Sequence, residues 1–147
     1  MADIQRKSSA VWQGDLRGGK GQFSSGSGVL NQIPYSFATR FENAQGTNPE
    51  ELIAAAHASC FSMAFANTLA GKGFTPDRIE TQAILSMDRD AAGFSVTKIR
   101  LETQGKVANI DEPTFQSIAE DAKKNCPISR LLSPGLKEIE LVATLVK

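Results

Sequence analysis

Histidine and cysteine are scarce in this sequence: His57, Cys60 and Cys126 are the only ones in 147 residues. A zinc site takes three or four ligands, and the two cysteines lack CxxC spacing, so no metal centre is expected. Net charge is absent as well. Sixteen Lys and Arg balance sixteen Asp and Glu, which removes any electrostatic pull toward nucleic acid or an anionic membrane. Gly18-Gly19-Lys20-Gly21 matches neither phosphate-loop spacing, so nucleotide chemistry has no motif to rest on. The N-terminus, Met1 to Lys7, has no apolar signal region, so secretion is not expected and a cytoplasmic location is. In that compartment two cysteines are not a structural disulfide by default. They are two thiols that need a reason. No repeat, low-complexity tract or linker interrupts the chain, and its average apolar and charged content argues against disorder. One domain over residues 1–147 is the expectation.

What the chain does have is one long apolar stretch, Thr47 to Gly71. Asn48 suits a helix cap, Pro49 the first helical position, and Glu50 and Glu51 the positive end of the dipole. Glu51 also falls at the capping-box position, and Gly71 and Gly73 mark the stop. Between them nearly every side chain is apolar or small, with only His57, Ser59, Ser62, Asn67 and Thr68 polar. Such a helix is expected to be buried nearly all round. Glu50, Glu51 and His57 leave too short an uninterrupted apolar run for a membrane span.

Around this helix the alternation predicts strands. Residues 10–15 and 21–30 flank a Gly-rich turn, and Tyr35 to Glu42 alternates aromatic and polar residues, which puts Arg40 opposite the aromatic face. Ile79 to Asp88 and Phe94 to Val107 form a hairpin, with a phase change after Val96 that predicts a bulge. A second helix starts near Asp111-Glu112-Pro113 and carries Phe115, Ile118, Ala119 and Ala122 on one face. A short helix over Ile128 to Leu132 and a last strand, Glu138 to Val146, complete the chain. The order βββαββαβ defines an α+β fold with antiparallel sheet.

Cys60 lies at the middle of the long helix, where the helix terminus cannot lower its pKa; a reactive thiol there needs a cation from elsewhere, and Arg40 and Arg17 precede the helix. Cys126 stands at the start of the short helix, whose backbone N–H groups favour a thiolate there. It continues the apolar face of the second helix at i+4 spacing, so the two thiols can meet in the core. His57, one turn before Cys60, makes a Cys–His hydrolase an alternative. Two buried structural cysteines remain another.

Four stretches together resemble the OsmC branch of the OsmC/Ohr family: Ser27-Gly-Val-Leu-Asn31, Thr47-Asn-Pro-Glu-Glu-Leu52, Ala55-Ala-His-Ala-Ser-Cys-Phe-Ser-Met-Ala64 and Asn125-Cys-Pro-Ile-Ser129. The resemblance spans essentially the whole chain. It implies an intertwined two-fold dimer and a thiol peroxidase that reduces organic hydroperoxides without metal, haem or other cofactor. By the same resemblance Cys60 is the peroxidatic nucleophile, Cys126 the resolving thiol, and Glu50 the site carboxylate. Arg40 is the activating arginine, with Arg17 as runner-up, and the external reductant is a lipoyl-type dithiol.

Helix geometry adds one expectation. Glu50 and Cys60 are separated by about 15 Å of helix rise, too far to share a site within one straight helix. Two antiparallel copies crossing near Ala55 would bring Glu50 of one beside Cys60 of the other, giving a homodimer with composite sites. The competing functions are a hydrophobic-ligand binding module and the Cys–His hydrolase. Replacing Cys126 stops only a peroxidase, and replacing His57 is expected to matter only to the hydrolase.

Overall fold

The computed structural model describes residues 3–147; Met1 and Ala2, part of the N-terminal stretch read above for a signal, lie outside the described residues. The chain divides into two compact units, Met1–Leu52 and Ile53–Lys147.

In the first unit, β1 (Ser8–Gln13), β2 (Lys20–Ser25) and β3 (Ile33–Tyr35) form an antiparallel sheet in the order β1-β2-β3. Trp12, Gly21 and Tyr35 are cross-strand partners. A Cβ on Gly21 would lie within 2.7 Å of both aromatic rings, so only glycine lets them close over the middle strand at 5.5 Å between centroids. The expected strand from Tyr35 to Glu42 is corrected here. Tyr35 ends β3, and Phe37–Phe41 is a short helix, α1. Local hydrogen bonding decides against the alternation: Ser36 Oγ accepts the Thr39 N–H while Thr39 Oγ1 accepts the Ser36 N–H. Phe37 and Phe41, one helical turn apart, then stack at 4.9 Å. Arg40 consequently does not face away from the aromatics; its guanidinium lies 4.9 Å from the Phe41 ring centroid.

The long helix, α2 (Pro49–Gly71), starts as its sequence requires, with Asn48 Oδ1 accepting the Glu51 N–H at 2.8 Å. Its stop lies two residues beyond Gly71. Gly73 carries the positive φ of 89°, and the Phe74 N–H and Gly73 N–H return to the carbonyls of Leu69 and Ala70. That is a Schellman closure, and it needs glycine at the left-handed position.

In the second unit, β4 (Pro76–Asp90) and β5 (Gly93–Val107) form a long antiparallel hairpin. Ser86 pairs with Lys98 but Met87 pairs with Val96, leaving Thr97 as the extra residue of the expected bulge. α3 (Glu112–Asn125) is capped by Asp111 and buries Phe115, Ile118, Ala119 and Ala122, the predicted face. α4 (Pro127–Leu132) and a 3-10 turn lead into β6 (Glu138–Val146). β6 pairs with β5 in parallel, so the sheet is mixed and not antiparallel throughout. The reason is the intervening α3–α4 crossover, which returns the chain to the end of the sheet where β5 begins, so that β6 runs beside β5 in the same direction.

One row of α2, His57, Phe61, Phe65 and Leu69 at i+4 steps, is fully buried, and its three apolar members join the core formed with this sheet and α3. Its opposite face is open in the single chain: Ala55, Ala56, Ser59 and Asn67 are exposed, and Met63 is 74% exposed. Only 22% of the helix's apolar window is buried, and by length and composition alone it does meet the requirement of a membrane span. Its aromatic row belongs to a protein core, with Phe65 in contact with Phe61 and Phe115 at 5.7 and 5.2 Å.

Gly105 of β5 provides the floor for Phe115. A Cβ there would stand 2.7 Å from the ring, which is itself fully enclosed. Gly105→Ala is therefore expected to destabilise by about 1–3 kcal/mol through overpacking. Urea unfolding checks it, and an unchanged midpoint would contradict the close approach.

Candidate active site

Two chemical groupings emerge, one in each unit. In the first, α1 and the first turn of α2 bring Arg40 to Glu50. Arg40 Nε donates to Glu50 Oε1 at 2.8 Å, and Nη2 lies 2.7 Å from the same oxygen. Glu50 is buried and Arg40 half-exposed. Glu50 Oε2 is buried too, with no hydrogen-bond partner among the described residues. Asn48, whose Nδ2 donates to the Thr39 carbonyl, ties the start of α2 to α1 and so fixes the pair's spacing. Arg17 takes a different place, its guanidinium 4.7 Å over the Phe37 ring. Trp12, Leu16, Tyr35, Phe37, Arg40 and Phe41 line a largely apolar hollow of about 240 Å³ beside this pair.

In the second unit, Cys60 of α2 and Cys126 meet, although 66 residues separate them in sequence. Their sulfurs are 3.2 Å apart, within hydrogen-bonding distance, and both are free thiols. Cys126 is fully buried and Cys60 half-buried. Cys126 occupies the N-cap of α4 as expected, but its side chain makes no cap hydrogen bond. The backbone N–H of Ile128 bonds instead to Cys60. The N-terminus of α4 thus also serves the thiol on the other helix. Burial pushes the Cys60 thiol above its ordinary pKa; the Ile128 N–H works against this, and the neighbouring Cys126 adds to it.

His57 does not pair with Cys60. Its Nε2 lies 2.7 Å from Ser129 Oγ on α4, and both residues are buried. Burial lowers the His57 pKa, so the ring is neutral at pH 7. Ser129 and the Ile128 amide are the groups sequence reasoning missed. Ser129 belongs to a motif noted above, but nothing local shows that its hydroxyl finds a histidine 72 residues away. Among the described residues no group of His, Cys, Asp and Glu is arranged to hold a metal ion.

Two free thiols in contact across a helix and a helix cap, on an α+β scaffold, define a cysteine-based redox protein. The chain belongs to the OsmC-like protein family, whose model matches residues 42–140. It is 54% identical over 129 residues to Peroxiredoxin OsmC of Escherichia coli, covering 88% of this chain and 90% of that one. It is 32% identical over 116 residues to organic hydroperoxide resistance protein OhrB of Bacillus subtilis, covering 78% and 83%. In fold it matches the crystal structure of an organic hydroperoxide resistance protein OsmC from Legionella pneumophila, with a TM-score of 0.76 over 97% of this chain and 99% of that one, at 17% identity.

Proposed function

We propose that this chain is a thiol peroxidase that reduces organic hydroperoxides to alcohols, serving oxidative or osmotic stress defence in the cytoplasm. The observation that carries it is the 3.2 Å approach of Cys60 and Cys126 in a chain of this family. The Cys60 thiolate attacks the distal oxygen of the hydroperoxide; the O–O bond breaks, the alkoxide leaves and is protonated to the alcohol, and Cys60 becomes a sulfenic acid. Cys126 then attacks the Cys60 sulfur, expelling water and forming the disulfide. A disulfide needs sulfurs about 2.05 Å apart, so only a small movement separates the reduced pair from the bond. An external dithiol of lipoyl type reopens it by exchange.

Arg40 is the residue proposed to hold Cys60 ionised, oriented by Glu50. A guanidinium keeps its proton throughout and offers a fork of donors to peroxide oxygens. The working unit is an intertwined two-fold homodimer, each copy a single OsmC-like domain, with Arg40 and Glu50 of one copy beside Cys60 of the other. Three features support this assembly. The exposed face of α2 carries small residues and Met63, suited to close helix approach. No apolar side chain of the first unit's described residues is fully buried, so its sheet lacks a core of its own. The second oxygen of Glu50 is buried without a partner, an unfavourable state for a carboxylate unless another group faces it.

The test is free-thiol titration before and after one equivalent of cumene hydroperoxide, with sedimentation of the same sample. Loss of both thiols, recovered by a dithiol, is expected from a dimeric species. Survival of both thiols would leave the ligand-binding alternative, and a monomer at micromolar concentration would remove the composite site. The hydrolase alternative loses its base, because His57 is engaged with Ser129.

A further inference from the structure

We infer that His57 and Ser129 form a clamp that holds the two cysteine-bearing elements in register for the resolving step, making His57 a positioning residue for disulfide formation. The inference rests on the two-cysteine peroxidase reading above and deepens it.

The clamp and the thiol pair are parallel links between the same two elements. His57 lies one turn before Cys60 on α2, and Ser129 lies one turn after Cys126 on α4. Their bond, 2.7 Å from Nε2 to Oγ, is closed to solvent at both ends, with His57 0% and Ser129 2% exposed. α4 is only six residues long. Ile128 and Leu132 pack on the core while only partly buried, Ser129 is its only fully buried side chain, and Leu131 is 70% exposed. A helix this short does not persist by itself. Yet it carries the Ile128 amide bonded to Cys60 and is capped by Cys126, so its placement sets both groups at once.

The ring's other nitrogen, Nδ1, is buried without a hydrogen-bond partner among the described residues. An unpaired lone pair is better tolerated there than an orphan N–H, so the proton belongs on Nε2, which donates to Ser129 Oγ. That assignment says which substitution preserves the clamp. A glutamine at position 57 carries an amide N–H at nearly the same reach as Nε2, whereas leucine fills the space with no donor.

The need for register comes from the condensation itself. The Cys126 sulfur must approach Cys60 opposite the S–O bond of the sulfenic acid. The S–S bond forms, the S–O bond breaks, and the hydroxide leaves as water with the proton of the Cys126 thiol. No outside oxidant enters. A misplacement of 1 Å in such a step costs about 10²-fold in rate. The expectation that His57 matters only to a hydrolase is therefore revised.

The experiment is a single turnover of the full chain with one equivalent of cumene hydroperoxide. It follows peroxide loss, dimedone-trappable sulfenic acid on Cys60 and disulfide formation separately, with thermal unfolding of each variant. His57→Leu and Ser129→Ala are expected to prolong the sulfenic acid about 10²-fold, with a smaller effect on peroxide loss, and His57→Gln to restore rapid closure. Disulfide formation at the wild-type rate in either Leu or Ala variant would overturn the clamp. So would a folded His57→Gln that closes as slowly as His57→Leu. If the wild-type chain itself forms no Cys60–Cys126 disulfide, the peroxidase reading fails before the clamp is reached.

Discussion

Cys126→Ser is expected to consume organic hydroperoxide only stoichiometrically, one equivalent for each oxygen added to Cys60, and then stop without turning over, whereas Cys60→Ser reduces none. The asymmetry follows from where the sulfurs lie. Cys60 is half-buried and receives the Ile128 N–H, so it is reachable by peroxide and its thiolate has a donor. Cys126 is fully enclosed behind it and meets only what forms on Cys60. Without Cys126 the sulfenic acid has no neighbouring thiol, and a second peroxide carries it to the sulfinic rung, which thiols do not reverse. Mass spectrometry of the Cys126→Ser chain after excess peroxide should find two or three added oxygens on Cys60. Sustained turnover of that variant at the wild-type rate would remove Cys126 from the cycle.

Arg40→Leu is expected to slow peroxide reduction at pH 7 by about 10- to 10³-fold, the effect of withdrawing a cation that depresses a thiol pKa by one to three units. The sign of the pH dependence follows. Within one chain burial raises the Cys60 pKa, so the thiolate is the minor form at neutral pH and the rate rises with pH until the thiol has ionised. With the guanidinium in place that rise is complete at lower pH; in Arg40→Leu it moves upward, and the variant recovers in alkaline buffer. Iodoacetamide alkylation of Cys60 across pH reads the shift directly. Arg17→Leu is the control, because the Arg17 guanidinium packs on Phe37 while Arg40 pairs with Glu50. If Arg17→Leu moves the profile and Arg40→Leu leaves it unchanged, the activating role passes to Arg17.

Much of the architecture was legible because it is local. The Asn48 cap, the Asp111 cap, the buried face of α3, the bulge at Thr97 and the last strand all follow from spacing over a few residues. The helix at Phe37–Phe41 was not, because residues four apart, such as Phe37 and Phe41, share a face in a strand and in a helix alike. The reciprocal Ser36–Thr39 bonds broke the tie. The direction of β6 was equally hidden, since a period of two is the same in parallel and antiparallel pairing.

By itself the sequence determined that α2 would form, that Cys60 would sit at its middle, and that Cys126 would stand where one helix ends and another begins. Those follow from caps, prolines and apolar periodicity, which act within a turn or two. Only the tertiary structure decided that the sulfurs meet, that the α4 amide serves Cys60, and that His57 faces Ser129. Each of those pairs residues more than sixty positions apart, and the packing of α2 and α3 on the sheet, which no local signal encodes, brings them together.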